Sequence, residues 1–393
     1  MFSKILQNYL RFWSKNYLDR VKPKIIAITG SVGKTTTKEA VFTVLAEKFH
    51  DKISKAEGNL NTETGVPLAI LGYKKSPKKF YEWLPIILSV PFKSISQKKF
   101  EIMVLEFAAD KPGDIKYLTS FVHPNIAIIT AVGPSHLEAF GTIDKIIEEK
   151  ISILWPLTSD GLAVLNIDYE ALRKASYGGR FSKTTYAIDH VADFMAQDVS
   201  IGLSQMVAQT KFKVKGKMDF EVCLPVPSGK AGVYAALAAV SVANYFELNQ
   251  SEIKNGLEKM VNEKHRMQIF EGINNSVIID DCYNANPMSM KNALNVLNSL
   301  KAKRKIAVLG DMREIGKITN EAHVEIGRQA LKTADLVVAV GESAHKYNAS
   351  KFFKSKEKAI DYLLKEVRNG DILLIKASRS LEFDQIVEVL RKK

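Results

Sequence analysis

Thr29-Gly30-Ser31-Val32-Gly33-Lys34-Thr35-Thr36 follows an apolar run, Ile25-Ile26-Ala27-Ile28, and opens a segment of helical pattern, Lys34–Phe49. A buried strand, a glycine-bearing turn and a helix N-terminus together form a phosphate-binding geometry. Backbone N–H groups and the helix dipole face the anion, a lysine ammonium reaches the terminal phosphates, and a threonine hydroxyl can ligate Mg²⁺. Ile28 stands where a standard GxxxxGK[ST] loop has its first glycine, so this is the shorter TGxxGKTT variant. The strand–loop–helix context makes ATP use the leading reading.

At 393 residues the chain is long enough for two or three domains, and 46% hydrophobic with 25% charged residues is an ordinary globular composition. Cys223 and Cys282 are the only cysteines, which excludes a disulfide framework or zinc ribbon and suits a reducing cytosol. The first twenty residues mix Lys and Arg among aromatics and lack the apolar core of a signal peptide. The net charge of +13 is concentrated in residues 1–24 and 74–99, where Asp19 and Glu82 are the only acids, and the rest of the chain is close to neutral. A nucleic-acid-binding protein spreads its basic residues over a docking face, so nucleic acid is not expected as a partner.

Both basic segments are also apolar. Phe2, Ile5, Leu6, Tyr9, Leu10, Trp13 and Tyr17 recur at helical spacing, and Trp83–Phe92 is an apolar run interrupted by Pro85 and Pro91. The run is too short to span a bilayer. Two readings stand: a peripheral contact with an anionic membrane at its inner face, or packing on the protein with the lysines left in water.

Strand-like runs alternate with helical patterns at Lys24–Thr29, Ile102–Phe107, Ile126–Ala131, Leu162–Asn166, Val277–Asp281, Lys305–Leu309, Leu336–Val340 and Ile372–Lys376. The alternation predicts an α/β fold of mostly parallel sheet covered by helices. Residues 191–227 predict antiparallel hairpins at a sheet edge, followed by an Ala-rich helix over Gly232–Phe246. The expected organisation is a basic amphipathic helix (1–23), a P-loop-type central ATPase domain (24–262) and a smaller Rossmann-like α/β domain (263–393).

Glu106 ends an apolar strand, where a carboxylate faces the ligand crevice of a parallel sheet and can hold Mg²⁺; a solvated strand end is the bland reading. His136 lies just past another strand, as a metal ligand, as an orienter of a carboxylate or as an ordinary loop residue. Thr142 is a plausible N-cap for a helix running to Leu154 whose apolar face is Ile143, Ile146, Ile147, Ile151 and Leu154. Lys150 falls on that stripe. Either it snorkels to the surface, or CO₂ caps the amine as a carbamate, reversing its charge and making it a Mg²⁺ ligand. In the last domain Arg266, the segment Asp280-Asp281-Cys282-Tyr283-Asn284-Ala285-Asn286-Pro287, residues 310–314 and Lys376-Ala377-Ser378-Arg379-Ser380 are polar strand ends that suggest a second ligand-facing rim.

In order, TGSVGKTTTKE (29–39), GNLNTETGVP (58–67), LEFAADKPGDI (105–115), VGPSHLEAFG (132–141), RMQIFEG (266–272), DDCYNANPMSM (280–290) and LGDMREIG (309–316) resemble the Mur ligase family, the ATP-dependent amide-forming enzymes of peptidoglycan precursor synthesis. YNANP together with GDMxExG is similar to the branch that adds D-Ala-D-Ala to UDP-MurNAc-tripeptide. The resemblance implies ATP bound by Gly30, Ser31, Val32, Gly33, Lys34, Thr35 and Thr36 with Arg266, Asp281 and Asn284 from the last domain. It further implies two Mg²⁺, one held by Thr35 and Glu106 and one by His136 and a carbamylated Lys150, with Lys34, His136 and Lys150 catalytic. Asn59, Asn61, Thr62, Asn286, Lys376, Ser378 and Arg379 are expected at the substrate.

Three departures from the family pattern accompany these matches. Only the basic helix precedes the ATP loop, so the family's N-terminal uridine-binding domain is expected to be lacking, and UDP is either not recognised or recognised by other surfaces. Thr62 replaces an Asn, and Ala231-Gly232 replaces a His-Asn pair at the adenine. The leading expectation is a cytosolic, monomeric ligase. The alternatives are a Mur-type ligase with another acyl donor or amine acceptor, or a non-catalytic ATP-binding scaffold at the membrane; retention of Lys34, Thr35, Glu106, His136 and Lys150 argues against the scaffold.

Overall fold

The computed structural model describes residues 2–77, 79–204 and 206–392; Lys78 and the side chain of Phe2 lie outside the described residues. Strands β1 (Lys24–Thr29), β2 (Ile53–Lys55), β3 (Ile102–Glu106), β4 (Ile126–Ile129), β5 (Leu162–Asn166), β6 (Ser182–Ala187), β7 (Phe194–Ser204), β8 (Val207–Gly216) and β9 (Phe220–Leu224) form one sheet in the order β2-β3-β1-β4-β5-β6-β7-β8-β9. Pairing is parallel from β2 to β7 and antiparallel from β7 to β9, which places the expected hairpins at one edge.

β1 is central because it is apolar on both faces. Ile26 and Ile28 enter a core with α2 (Lys34–Phe49) and the Ala-rich helix, while Ile25 and Ala27 enter the opposite core. Each isoleucine so buried contributes about 1.5–3 kcal/mol. That second core also takes up α1 (Phe2–Val21), α3 (Gly65–Ile70) and α4 (Trp83–Ser96). The packing reading of the basic segments thus holds for one face of each helix: Leu6, Leu10 and Tyr17 of α1 and Val90 of α4 are buried.

The second sheet is built from β10 (Gln268–Glu271), β11 (Val277–Asp280), β12 (Arg304–Gly310), β13 (Leu336–Val340), β14 (Lys351–Phe353) and β15 (Asp371–Lys376). Its order is β10-β11-β15-β12-β13-β14, parallel except for β10 with β11.

Several boundaries differ from the sequence reading. β4 stops at Ile129, because Thr130 and Ala131 turn to hold the glycine loop: Thr130 Oγ1 donates to Val32 O at 2.6 Å and Ser31 N to Ala131 O at 2.8 Å. The Ala-rich helix begins at Gly229 and ends at Tyr245. The helix after Thr142 runs over Ile143–Ile151 and tightens into a 3₁₀ turn, Ser152–Leu154, and Ile143 is exposed, so the buried stripe is narrower than expected. The prolines do not interrupt the apolar run of α4. Pro91 lacks an N–H and leaves Ile87 O free, and the Tyr9 hydroxyl donates to that carbonyl at 2.8 Å.

Candidate active site

The carboxyl ends of β1, β3 and β4 and those of β11, β12 and β15 line one cleft of ≈390 Å³ between the two sheets. Segment 31–36 forms one wall. Gly30 has φ +150°, and a Cβ there would lie 2.1 Å from Thr130 Oγ1; Gly33 caps α2 in the left-handed region with φ +85°. Only glycine adopts both conformations without strain, which leaves the N-terminus of α2 open to an anion. Lys34 Nζ donates to Gly30 O at 2.8 Å. Burial lowers its pKa, and Arg266 adds to that, while Glu106 and Asp110 oppose it.

Glu106 is buried beside the loop. It accepts from Thr35 Oγ1 at 3.1 Å and from Asn61 Nδ2 at 2.9 Å. Burial alone would raise its carboxyl; Lys34, Lys38, Asn61 and Arg266 together hold it below the usual range, so it is ionised at neutral pH. Asn61 O accepts from Ala108 N at 2.8 Å, so the segment bearing Asn59, Asn61 and Thr62 is tied to the β3 end, and all three line the cleft. An ionised carboxylate beside a threonine hydroxyl is a hard-oxygen donor set that fits Mg²⁺.

His136 occupies the left-handed region with φ +51°, which costs on the order of 1 kcal/mol for a residue with a Cβ. It is held there by Glu314 of the other rim at 2.9 Å, with Asp110 3.6 Å from its second nitrogen. Burial lowers its pKa, against the pull of Asp110 and Glu314. Lys150 is 1% exposed, which rules out snorkelling. Among the described residues it donates only to Ala109 O, at 3.4 Å, too little for an ammonium with three donors. Burial, with help from Lys34, lowers its pKa to about 7. Lys150 does not line the cleft itself; it lies under the loop bearing Ala109 and Asp110.

The opposite rim comes from the second sheet. Arg266 stacks at 4.0 Å on the Tyr283 ring and Arg379 lies 5.4 Å from it, and both guanidinium groups line the cleft. Among the described residues Arg266 Nε is buried with no hydrogen-bond partner, as is the hydroxyl of Ser228, also on the cleft wall. A desolvated guanidinium close enough to Lys34 and Glu106 to influence both, with one nitrogen unsatisfied, fits a phosphate.

The remaining candidates on this rim are engaged within the protein. Asp281 pairs with Lys376 at 2.6 Å and accepts from Met267 N at 3.2 Å, and burial raises its carboxyl in spite of Lys376. Lys376 also donates to Asn284 O at 2.9 Å. Asn286 caps the helix Pro287–Ser299, accepting from Ser289 N at 2.9 Å. Ser378, expected at the substrate, lies off the cleft and instead accepts from Arg313 N at 2.9 Å.

Sequence reasoning gave no individual role to Asp110, Glu314, Tyr283, Lys38 or Glu263, although Glu314 and Tyr283 fall in the expected second rim. The first four lie inside the segments already quoted. Lys38 is fully buried and donates to Glu263 at 3.0 Å and to Gly58 O at 3.2 Å, a link between α2 and the inter-sheet connection that carries no periodic signal.

Two family models match: the Mur ligase middle domain over residues 28–243 and the Mur ligase glutamate ligase domain over residues 265–379. The chain belongs to the Mur ligase family. It is 29% identical over 389 residues to the UDP-N-acetylmuramoyl-tripeptide–D-alanyl-D-alanine ligase of Bacillus subtilis, covering 96% of this chain and 78% of that one. To the enzyme of the same name from Haemophilus influenzae it is 30% identical over 387 residues, covering 95% and 78%. Among solved structures, MurF ligase from Thermotoga maritima in complex with ADP superposes with a TM-score of 0.82 at 27% identity, covering 98% of this chain and 83% of that one.

Proposed function

We propose that this Mur ligase joins D-Ala-D-Ala to UDP-MurNAc-tripeptide at the expense of ATP, working in the cytosol as a monomer whose central (24–262) and C-terminal (263–393) domains each supply one rim. The observation that carries the reading is the convergence on a single cleft of Lys34 and Glu106 from one sheet with Arg266 of the other, whose Nε has no hydrogen-bond partner among the described residues.

The substrate carboxylate attacks the γ-phosphorus of ATP, releasing ADP and giving an acyl phosphate. The D-Ala-D-Ala amine then attacks the acyl carbon, and the tetrahedral intermediate expels phosphate with loss of a proton. Lys34, Arg266 and Arg379 screen the phosphate oxygens, while the loop amides orient them. Glu106 and Thr35 would hold one Mg²⁺, and His136 would hold a second together with Lys150 if its amine is carbamylated. Mg²⁺ would supply neutralisation of the phosphate oxygens. The carbamate forms from neutral amine and CO₂ with release of one proton, and the lowered pKa of Lys150 keeps that amine available at neutral pH. Asn59, Asn61 and Thr62 face the substrate. Asn286, Lys376 and Ser378 shape that rim through the contacts described above, and Asp281 and Asn284 border the nucleotide.

Incubation with ATP, Mg²⁺, D-Ala-D-Ala and UDP-MurNAc-tripeptide yields the pentapeptide product by mass spectrometry with an equal amount of ADP. ATP binding without that product overturns the assignment of substrates.

A further inference from the structure

The face formed by α1 and α4 takes no part in the cleft. The two helices are bound to each other by Tyr9 on Ile87 O, Arg20 Nη2 on Ser94 O at 2.9 Å and Ser94 Oγ on Asn16 Oδ1 at 3.1 Å. Inward, Ile86, Ile87 and Val90 pack on the core. Outward, Leu84, Leu88, Phe92 and Ile95 form a single stripe along α4, and Ile5 and Phe12 stand one above the other on α1, all 61–74% exposed. Spacings of four, four and three residues keep the α4 stripe on one side of the helix. The contiguous apolar row on α4, with Ile5 and Phe12 exposed on the helix packed beside it, marks an interaction site rather than ordinary exposure.

Its surroundings identify the partner. Lys4, Lys74, Lys75, Lys79 and Lys99 are exposed in the same two segments, and Asp19 and Glu82 are the only acids there. All seven cations of residues 74–99 are lysines. Protein interfaces are depleted in Lys and enriched in Arg, Tyr and Trp. Aliphatic and Phe side chains framed by lysines are instead the composition of helices that lie in a lipid headgroup region. No helix among the described residues is long and apolar enough to cross a membrane.

We propose that the α1–α4 face is a peripheral docking surface for an anionic bilayer, with Leu84, Leu88, Phe92, Ile95, Ile5 and Phe12 entering the headgroup–acyl boundary and the lysines meeting the lipid phosphates. The inference does not depend on the ligase reading, because lipid binding involves neither ATP nor peptide.

The test is co-sedimentation of the full chain with phosphatidylcholine vesicles with and without phosphatidylglycerol. Binding to the anionic vesicles exceeds binding to neutral ones by at least about tenfold and falls as salt is raised. The double variant Leu88→Glu/Phe92→Glu loses that binding while its thermal unfolding stays that of the parent, since both side chains are exposed. Lys74→Glu/Lys75→Glu weakens it and reduces its salt dependence. Failure of the parent chain to bind anionic vesicles, or equal binding by the Leu88→Glu/Phe92→Glu variant, overturns the proposal. So does a concentration-dependent dimer that the same variant abolishes in a chain that ignores lipid.

Discussion

The cleft and the α1–α4 face use lysine in opposite ways. In the cleft region Lys34, Lys38, Lys150 and Lys376 are desolvated and placed against single carboxylates, carbonyls or one another. On the face, Lys4, Lys74, Lys75, Lys79 and Lys99 stand in water around an apolar stripe. A buried charge interacts at low effective dielectric, so its position decides its pKa and chemistry; an exposed one is screened within about 10 Å at moderate salt and acts only in sum. Changes in the cleft should therefore act one residue at a time, while changes on the face act through total charge and apolar area.

The largest contrast is expected at Lys34. Lys34→Ala lowers ADP formation by about 10³-fold or more, on the order of 4 kcal/mol, and leaves vesicle binding untouched. Steady-state ADP release and sedimentation on the same preparation check both halves, and a paired loss would break the separation.

Lys150→Ala comes next, with a loss of about 10²-fold that added short carboxylates partly restore, because they replace the carbamate oxygens. Unimpaired turnover in that variant removes the carbamate from the account. The pKa of about 7 gives this prediction a pH sign. A lysine of lowered native pKa costs stability in full below about pH 7, and the cost is relieved as pH rises toward the unfolded value of about 10.4. In CO₂-free buffer, where the amine is uncapped, parent stability relative to Lys150→Met should thus increase with pH across that window in denaturant titrations, and a flat difference would contradict a desolvated amine.

Lys376→Met leaves Asp281 buried without its ion pair and should cost about 3 kcal/mol in unfolding free energy. Asn286→Ala removes only a helix cap, about 1 kcal/mol. Thermal or denaturant unfolding ranks the two, and a reversed order would mean that the Asp281–Lys376 pair contributes less than its burial implies.

Much of this was legible in the sequence because the site lies at the ends of apolar strands, and such strands announce themselves. β1, β5, β13 and α2 have the predicted limits, since mostly apolar strands, and a helix that starts directly after a left-handed glycine, leave little choice of boundary. β2 and β14 are three residues long, and β6 carries Ser182, Lys183, Thr184 and Thr185; their pairing comes from neighbours already in the sheet, which no local pattern shows. The same limit applies to the site. Glu106, His136 and Lys150 could be singled out because each breaks a local expectation. Asp110, Glu314 and Glu263 act by reaching across the fold, and an acidic residue in a loop gives no hint of which cation it will meet. Exposure of the outer halves of α1 and α4 was likewise invisible, because periodicity marks an apolar face without saying what covers it.

The acyl-phosphate route is tested most directly by following oxygen. UDP-MurNAc-tripeptide labelled with ¹⁸O in its terminal carboxylate is turned over with ATP, Mg²⁺ and D-Ala-D-Ala, and the released phosphate is analysed by mass spectrometry. Attack of that carboxylate on the γ-phosphorus transfers one ¹⁸O to each phosphate formed. Unlabelled phosphate accompanying pentapeptide formation would contradict the route and leave the convergence of Lys34, Glu106 and Arg266 on one cleft without its chemical explanation.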